Sequence, residues 1–133
     1  LPKATQKVLN DAMEESKNNT GLNLNICMNY GSQREILLAA RQYAKDVCDG
    51  KADLDLDEEG FEKYLMTKDF PPVDLLIRTS GEERISNYLL WQIAYAELEF
   101  VQESWPEFTP EVFHRCLEEY TKRDRRFGGV TNE

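Results

Sequence analysis

The stretch Val73-Asp74-Leu75-Leu76-Ile77-Arg78-Thr79-Ser80-Gly81 decides the fold class of this chain. Its first five residues form a short apolar run that is bounded by turn-forming residues on both sides, which is typical of a buried parallel strand. Arg78 then stands at the carboxyl end of the predicted strand. Because open α/β sheets bind ligands beyond the carboxyl ends of their strands, Arg78 and the Thr-Ser-Gly corner are candidate ligand contacts.

Apolar periodicity predicts helices and further strands on either side of this stretch. Ser32, with Glu35 three residues later, predicts a capping box at the start of the second helix. The predicted elements are, in chain order, a helix between Pro2 and the turn Asn18-Asn19-Thr20-Gly21, a strand over 22–28, a helix from Ser32 that is closed by Asp49-Gly50, a short helix over 57–66, the strand over 73–77, a helix over 85–94, a further strand around Leu98 and Phe100, and a helix that begins after Thr109. The residues around Leu98 and Phe100 also suit a helix end, and we favour the strand.

The alternation of helices and strands predicts an α/β fold with a mainly parallel sheet flanked by helices. Three predicted strands are few for an independent α/β domain. We therefore expect residues 1–133 to be a portion of a single larger domain, an incomplete fragment of its fold.

Composition excludes several classes of protein. The 133 residues carry 16 Lys and Arg against 25 Asp and Glu, a formal net charge of −9, which argues against a nucleic-acid binder with a basic surface. The longest apolar stretch, 88–95, is too short to span a membrane, and the first residues resemble no signal peptide. Three distant cysteines and one histidine favour a reducing, cytoplasmic location over a zinc site or disulfide framework.

The loop after the central strand carries a second cluster of anion-binding groups. Arg84 and Ser86 enter the predicted helix over 85–94 a few residues after Arg78. Two guanidiniums, hydroxyl groups and free amides at a helix N-terminus favour a multidentate anion such as a diphosphate. The alternative interpretation is that Arg78 and Arg84 form surface ion pairs with nearby acids, of which the sequence offers Asp74, Glu82 and Glu83.

Several longer motifs resemble the cis-prenyltransferase family (isoprenyl transferases). The resemblance covers about residues 1–129, and its most specific part is the run R-T-S-G-E-x-R-x-S-N-x-L-L-W-Q that begins at Arg78. Its other parts are Tyr95, Glu97, Trp105-Pro106 and Arg125-Arg126-Phe127-Gly128-Gly129.

The resemblance implies an enzyme that condenses isopentenyl diphosphate onto an allylic diphosphate, usually farnesyl diphosphate, to make a long cis-polyprenyl diphosphate such as undecaprenyl diphosphate. It also implies Mg²⁺ as cofactor, a homodimer and at most peripheral membrane contact. In this sequence the matching substrate-binding positions are Arg78, Arg84, Ile85, Ser86, Asn87, Arg126 and Gly128, and the matching magnesium-linked carboxylate is Glu97. Arginines and magnesium suit this chemistry because they stabilise the charge that develops on a diphosphate leaving group.

The sequence departs from the family pattern in two places. The family's N-terminal half, which supplies its catalytic aspartate and the allylic diphosphate cradle, has no counterpart here, so we expect no catalytic residue in this chain and no turnover by the chain alone. The family also places an arginine where Gln33 stands.

Other interpretations of the same residues stay open. Taken alone, Glu97 is an ordinary solvated acid, the basic run 122–126 is an ordinary helix C-terminus, and Trp91, Tyr95 and Phe100 are core or interface residues. At the level of function, the alternatives are a non-catalytic regulatory subunit of a heteromeric prenyltransferase and a general phosphometabolite-binding module. Regulatory subunits tend to keep the C-terminal R-x-G element and lose the R-T-S-G-E-x-R-x-S-N run, and the presence of both here favours the catalytic type.

Overall fold

The computed structural model describes residues 1–126, and it contains four α-helices and two strands within that range. The elements are α1 (Lys3–Ser16), α2 (Ser32–Cys48), α3 (Glu58–Glu62), β1 (Leu75–Arg78), β2 (Glu97–Phe100), a single 3-10 turn (Trp105–Glu107) and α4 (Pro110–Thr121). The predicted α/β class with a parallel sheet is confirmed, as are α1, α2, α4 and both strands of the sheet.

The two strands pair in parallel, so both begin at one edge of the sheet and both end at the other. Leu75 lies opposite Glu97 where the strands begin, and Arg78 lies opposite Phe100 where they end. Beyond that end the amide of Ser80 donates to the carbonyl of Glu103 at 2.8 Å. The Thr-Ser-Gly corner is thereby fixed against the segment that follows β2.

The N-terminus of α2 is capped from a distant part of the chain. Asn87 accepts the amide of Ser32 with its carbonyl and the amide of Gln33 with its side-chain Oδ1, both at 2.8 Å. The predicted capping box of Ser32 and Glu35 is therefore wrong. Both side chains are instead buried and bonded to other segments, because the first amide groups of α2 are already satisfied.

The predicted helix over 85–94 is also wrong, since this segment forms a succession of turns. Ser86, Asn87 and Leu89 all have positive φ angles, of 51°, 61° and 47°. A right-handed helix cannot include these left-handed residues. The apolar pattern of the segment reflects packing of a compact loop, in which Ile93 is buried.

The predicted strand over 22–28 does not form, although its apolar alternation is clear. Leu22, Leu24 and Ile26 are 63% exposed or more. Within residues 1–126 no backbone hydrogen bond joins this segment to β1 or β2. A strand needs a paired neighbour to satisfy its amides and carbonyls, and the described chain offers it none.

The apolar core of the described residues is small, and the helices contribute few side chains to it. The predicted helix over 57–66 is shorter than expected, because after Glu62 the chain continues in turns that bury Leu65. The apolar face of α1 is exposed, and none of its residues is buried.

Among residues 1–126, no helix is long and apolar enough to cross a lipid bilayer.

Candidate diphosphate site

A cleft of about 520 Å³ opens at the carboxyl end of β1. Its position follows from the parallel sheet, whose strands both end at this edge. Arg78 and Arg84, which the sequence predicts as anion ligands, both line it. The cleft is bordered by Leu76, Ile77, Arg78, Thr79, Ser80, Glu82, Arg84, Ile85, Tyr88 and Trp105.

The two arginines of the cleft differ in their surroundings. Arg84 forms an ion pair with Glu82, as the alternative interpretation of this loop predicted. Arg78 is partly buried, and among residues 1–126 it forms no ion pair. Asp74, another predicted partner for these arginines, bonds to Arg125 instead. Arg78 is thus the guanidinium that is available to an anion without first losing a partner.

The other predicted substrate residues of this loop are divided between two surfaces. Ile85 lines the cleft, and Ser86 follows it with an exposed, left-handed backbone. Asn87 is directed to α2, where its Oδ1 accepts the amide of Gln33. The contact uses the backbone of Gln33, so glutamine in place of the family's arginine leaves it intact.

Glu97 lies at the other end of the sheet from the arginines of the cleft. Its carboxylate accepts a hydrogen bond from Arg123 Nη1 at 3.1 Å, and Arg123 also contacts Glu99. In the described part of the chain, no three His, Cys, Asp or Glu side chains are grouped as a metal site. Glu97 can supply one carboxylate ligand, which fits Mg²⁺ because this ion is usually held by one or two carboxylates together with water and substrate phosphates, although here the carboxylate is bonded to a guanidinium.

The basic C-terminal segment is anchored near the beginnings of both strands. Arg125 bonds to Asp74 at 2.5 Å, immediately before β1, and this contact raises the pKa of the Arg125 guanidinium. Arg126 follows and pairs with Asp124 at 3.1 Å. Gly128, the last predicted substrate residue, lies outside the described residues. Asp74 and Arg78 are separated by about 13 Å along the strand, so this segment starts well away from the cleft of its own chain.

Two aromatic residues at the border of the cleft were not singled out as ligands from the sequence. Trp105 is 75% exposed and stacks on Phe108 with ring centroids 5.8 Å apart. The hydroxyl of Tyr88 donates to Cys27 Sγ at 3.8 Å, and burial together with this contact raises the pKa of Tyr88. For Tyr88, its place four residues after Arg84 was the available signal, whereas Trp105 comes from the 3-10 turn after β2 and had no such signal. The cleft therefore combines guanidiniums with apolar side walls.

Comparison with known sequences identifies relatives along nearly the whole chain. The prenyltransferase family model described as "Putative undecaprenyl diphosphate synthase" matches residues 1–128. An isoprenyl transferase of Oceanobacillus iheyensis is 47% identical over 131 residues, which is 98% of this chain and 52% of the relative. A ditrans,polycis-undecaprenyl-diphosphate synthase of Lactiplantibacillus plantarum, described as (2E,6E)-farnesyl-diphosphate specific, is 46% identical and is covered over 52% of its length. The chain thus spans about half the length of these curated relatives.

Solved structures give the same result for the fold. Lavandulyl diphosphate synthase from Lavandula x intermedia, crystallised with dimethylallyl diphosphate, superimposes with a TM-score of 0.90 at 37% identity. That match covers 96% of this chain and 56% of the plant enzyme. A probable undecaprenyl diphosphate synthase from Campylobacter jejuni gives a TM-score of 0.77 at 32% identity, over 96% of this chain and 58% of that protein.

Proposed function

The chain belongs to the undecaprenyl diphosphate synthase family of prenyltransferases, and we propose on that premise that it carries the isopentenyl diphosphate site of an isoprenyl transferase. The observation that carries this proposal is the shared cleft of Arg78 and Arg84 at the end of β1. Its two guanidiniums face one carboxylate, that of Glu82, so the charge of the lining favours an anion.

The cleft suits a ligand with a charged head and a small apolar group. A diphosphate offers several oxygen acceptors, and guanidiniums bind such groups in bidentate geometry. The apolar side walls from Leu76, Ile85 and Trp105 are then available to the isoprenyl carbons. We infer that isopentenyl diphosphate binds with its diphosphate at Arg78 and Arg84.

The second substrate is proposed to be an allylic diphosphate, such as farnesyl diphosphate. This agrees with the farnesyl-diphosphate-specific description of the Lactiplantibacillus relative and with the dimethylallyl diphosphate in the lavandulyl diphosphate synthase crystal. In the condensation, the C–O bond of the allylic substrate breaks and its electron pair leaves with the diphosphate. The double bond of isopentenyl diphosphate then bonds to the allylic carbon, and a proton is lost. For this chain we propose binding and orientation of isopentenyl diphosphate, and no catalytic residue.

We propose a magnesium ion and a homodimer because the sequence motifs of this chain resemble those of the cis-prenyltransferase family. Glu97 is the carboxylate proposed for magnesium, and its bond to Arg123 means that the ion and the guanidinium compete for it. Support for the homodimer comes from the C-terminal segment, which Arg125 anchors near the beginning of β1. The cleft of the same chain lies at the opposite end of β1 from this anchor. If Arg126 contacts a diphosphate, we therefore expect that diphosphate to be bound in the cleft of a second copy of the chain. Sedimentation of the chain tests this, and a monomer at all concentrations contradicts it.

A binding experiment on the 133-residue chain tests the proposed function. Isothermal titration with isopentenyl diphosphate should show saturable binding, and Arg78→Ala should weaken it about 10- to 150-fold, the effect of losing about 1.5–3 kcal/mol of charge-assisted hydrogen bonding. Arg41→Ala is the matched control, because Arg41 is an exposed arginine of α2 outside the cleft. A chain that does not bind, or equal effects of the two substitutions, would overturn the proposal.

A further inference from the structure

Asn87 connects the proposed diphosphate loop to the start of α2. Its backbone carbonyl and side-chain Oδ1 accept the amides of Ser32 and Gln33, each at 2.8 Å. In return, the amide of Leu90 donates to Ser32 Oγ at 2.9 Å. Three hydrogen bonds therefore join the loop to residues that lie more than fifty positions earlier in the chain.

The loop needs this support because its backbone is strained. Ser86 and Leu89 adopt left-handed conformations that cost free energy for such residues, whereas Asn87 between them is of a type that tolerates this conformation. Such conformations persist where the surroundings determine them. Ser32 is completely buried beneath the loop, and a Cβ atom at Gly31 would lie 2.9 Å from Asn87 Nδ2. The start of α2 is therefore shaped closely around Asn87.

The opposite side of the same loop forms part of the cleft. Arg84, Ile85 and Tyr88 line the cleft, and all three lie within three residues of Asn87. A change in the backbone at Asn87 thus changes the direction of the groups that face the ligand. The side-chain oxygen of Asn87 is already occupied by the amide of Gln33.

We propose that Asn87 and Ser32 are positioning residues, which hold the cleft-lining loop in its binding conformation by fixing it to α2. This inference rests on the proposed function, and it assigns Asn87 a different role from the substrate contact that the resemblance implies. Asn87 acts through the backbone of residues 84–88, and Ser32 acts by accepting the amide of Leu90.

Two substitutions at Asn87 separate positioning from ligand contact. Aspartate is as good a helix cap as asparagine and keeps an oxygen for the amide of Gln33. If Asn87 positions the loop, Asn87→Asp keeps the affinity for isopentenyl diphosphate within about threefold, while Asn87→Ala weakens it about tenfold. If Asn87 contacts the diphosphate, the added carboxylate repels the ligand and Asn87→Asp is the worse of the two.

Ser32→Ala gives a second test, because a side chain that is fully buried under the loop does not contact ligand. Its loss should weaken binding several-fold, while Cys116→Ala, a buried substitution in α4 outside the loop, should lower the melting temperature with unchanged affinity. All titrations are run well below the melting temperature of each variant.

Hydrogen exchange of the amides of Gln33 and Leu90 supplies a readout that needs no ligand. Protection of the Gln33 amide should persist in Asn87→Asp and fall in Asn87→Ala, and protection of the Leu90 amide should fall in Ser32→Ala. If the wild-type chain binds isopentenyl diphosphate and depends on Arg78, yet both Asn87 variants bind like wild type, the positioning role is overturned and the proposed function stands. A wild-type chain that does not bind overturns both.

Discussion

Glu35 is a buried carboxylate whose removal should destabilise the described structure. It is 2% exposed, and its carboxylate accepts hydrogen bonds from the hydroxyl of Tyr30, the amide of Met66 at 2.8 Å and Nε2 of Gln92 at 3.1 and 3.2 Å. In the described range no lysine or arginine forms an ion pair with Glu35. Its charge is therefore stabilised by these hydrogen bonds, which join α2 to two separate turns.

The magnitude follows from the donors that truncation leaves without an acceptor. Glu35→Ala removes the acceptor of the Tyr30 hydroxyl, of the Met66 amide and of one of the two Nε2 hydrogens of Gln92, since Nε2 keeps its bond to Thr67 Oγ1 at 3.0 Å. Each unsatisfied buried donor costs about 1–3 kcal/mol. Tyr30 is half-buried, so its hydroxyl recovers part of the loss by bonding to water. We expect a total of about 3–5 kcal/mol, with a fall in melting temperature of about 10–20 °C for a chain of this size. Glu35→Gln keeps an acceptor and removes a buried charge, and should cost about 0–2 kcal/mol.

Urea denaturation followed by circular dichroism measures both variants, provided that near- and far-ultraviolet signals change together. Glu118→Ala is the matched control, because Glu118 is an exposed glutamate on α4, and its removal should change stability by less than about 0.5 kcal/mol. A loss below about 1 kcal/mol for Glu35→Ala, with an unchanged slope, would refute the assignment of Glu35 as the acceptor that joins these segments.

Three further predictions concern the cleft and its surroundings. Glu82→Gln should tighten isopentenyl diphosphate binding by up to about fivefold in calorimetry, since it frees Arg84 from an ion pair worth about 0–1 kcal/mol; weaker binding contradicts this. Gly81→Ala should destabilise the chain by about 1–3 kcal/mol in urea, because Gly81 has a φ of 63° and the new Cβ would lie 2.7 Å from Gln102 Oε1. Adding Gln102→Ala should recover the steric part of the loss and leave the conformational part. Burial and the contact with Glu35 raise the pKa of Tyr30 to about 12, so the unfolded state loses its phenolic proton first and stability should fall between about pH 10 and 12; Tyr30→Phe should reduce that fall in melting temperature, and an identical pH profile would contradict it.

The features that the sequence predicted correctly are those that depend on local pattern. The apolar run before Arg78 becomes β1, and the position of Arg78 at its end follows directly from the strand. The shared cleft of Arg78 and Arg84 was also predictable, because both residues follow the same strand within one loop. Pro110 at the first position of α4 fixes the start of that helix for an equally local reason.

The features that the sequence did not reveal depend on distant partners. Ser32 and Glu35 have the spacing of a capping box, and the structure gives the cap to Asn87, which is more than fifty residues away. Asn87 caps α2 in a left-handed conformation, which a right-handed helix over 85–94 could not contain, so the predicted helix does not form. The apolar alternation of residues 22–28 is compatible with a strand. A strand forms only where a neighbouring strand pairs with it, and the alternation does not reveal whether such a neighbour is present.

The net charge of −9 and an anion-binding cleft are compatible because electrostatic attraction at this site is local. At physiological ionic strength, interactions between exposed charges are largely screened beyond about 8 Å. Many of the acids are exposed or already paired with nearby cations, as Asp74 is with Arg125 and Glu97 is with Arg123. A diphosphate in the cleft interacts mainly with Arg78, Arg84 and the carboxylate of Glu82. The charges that line the cleft therefore determine which ligand it binds, and the net charge of the whole chain does not.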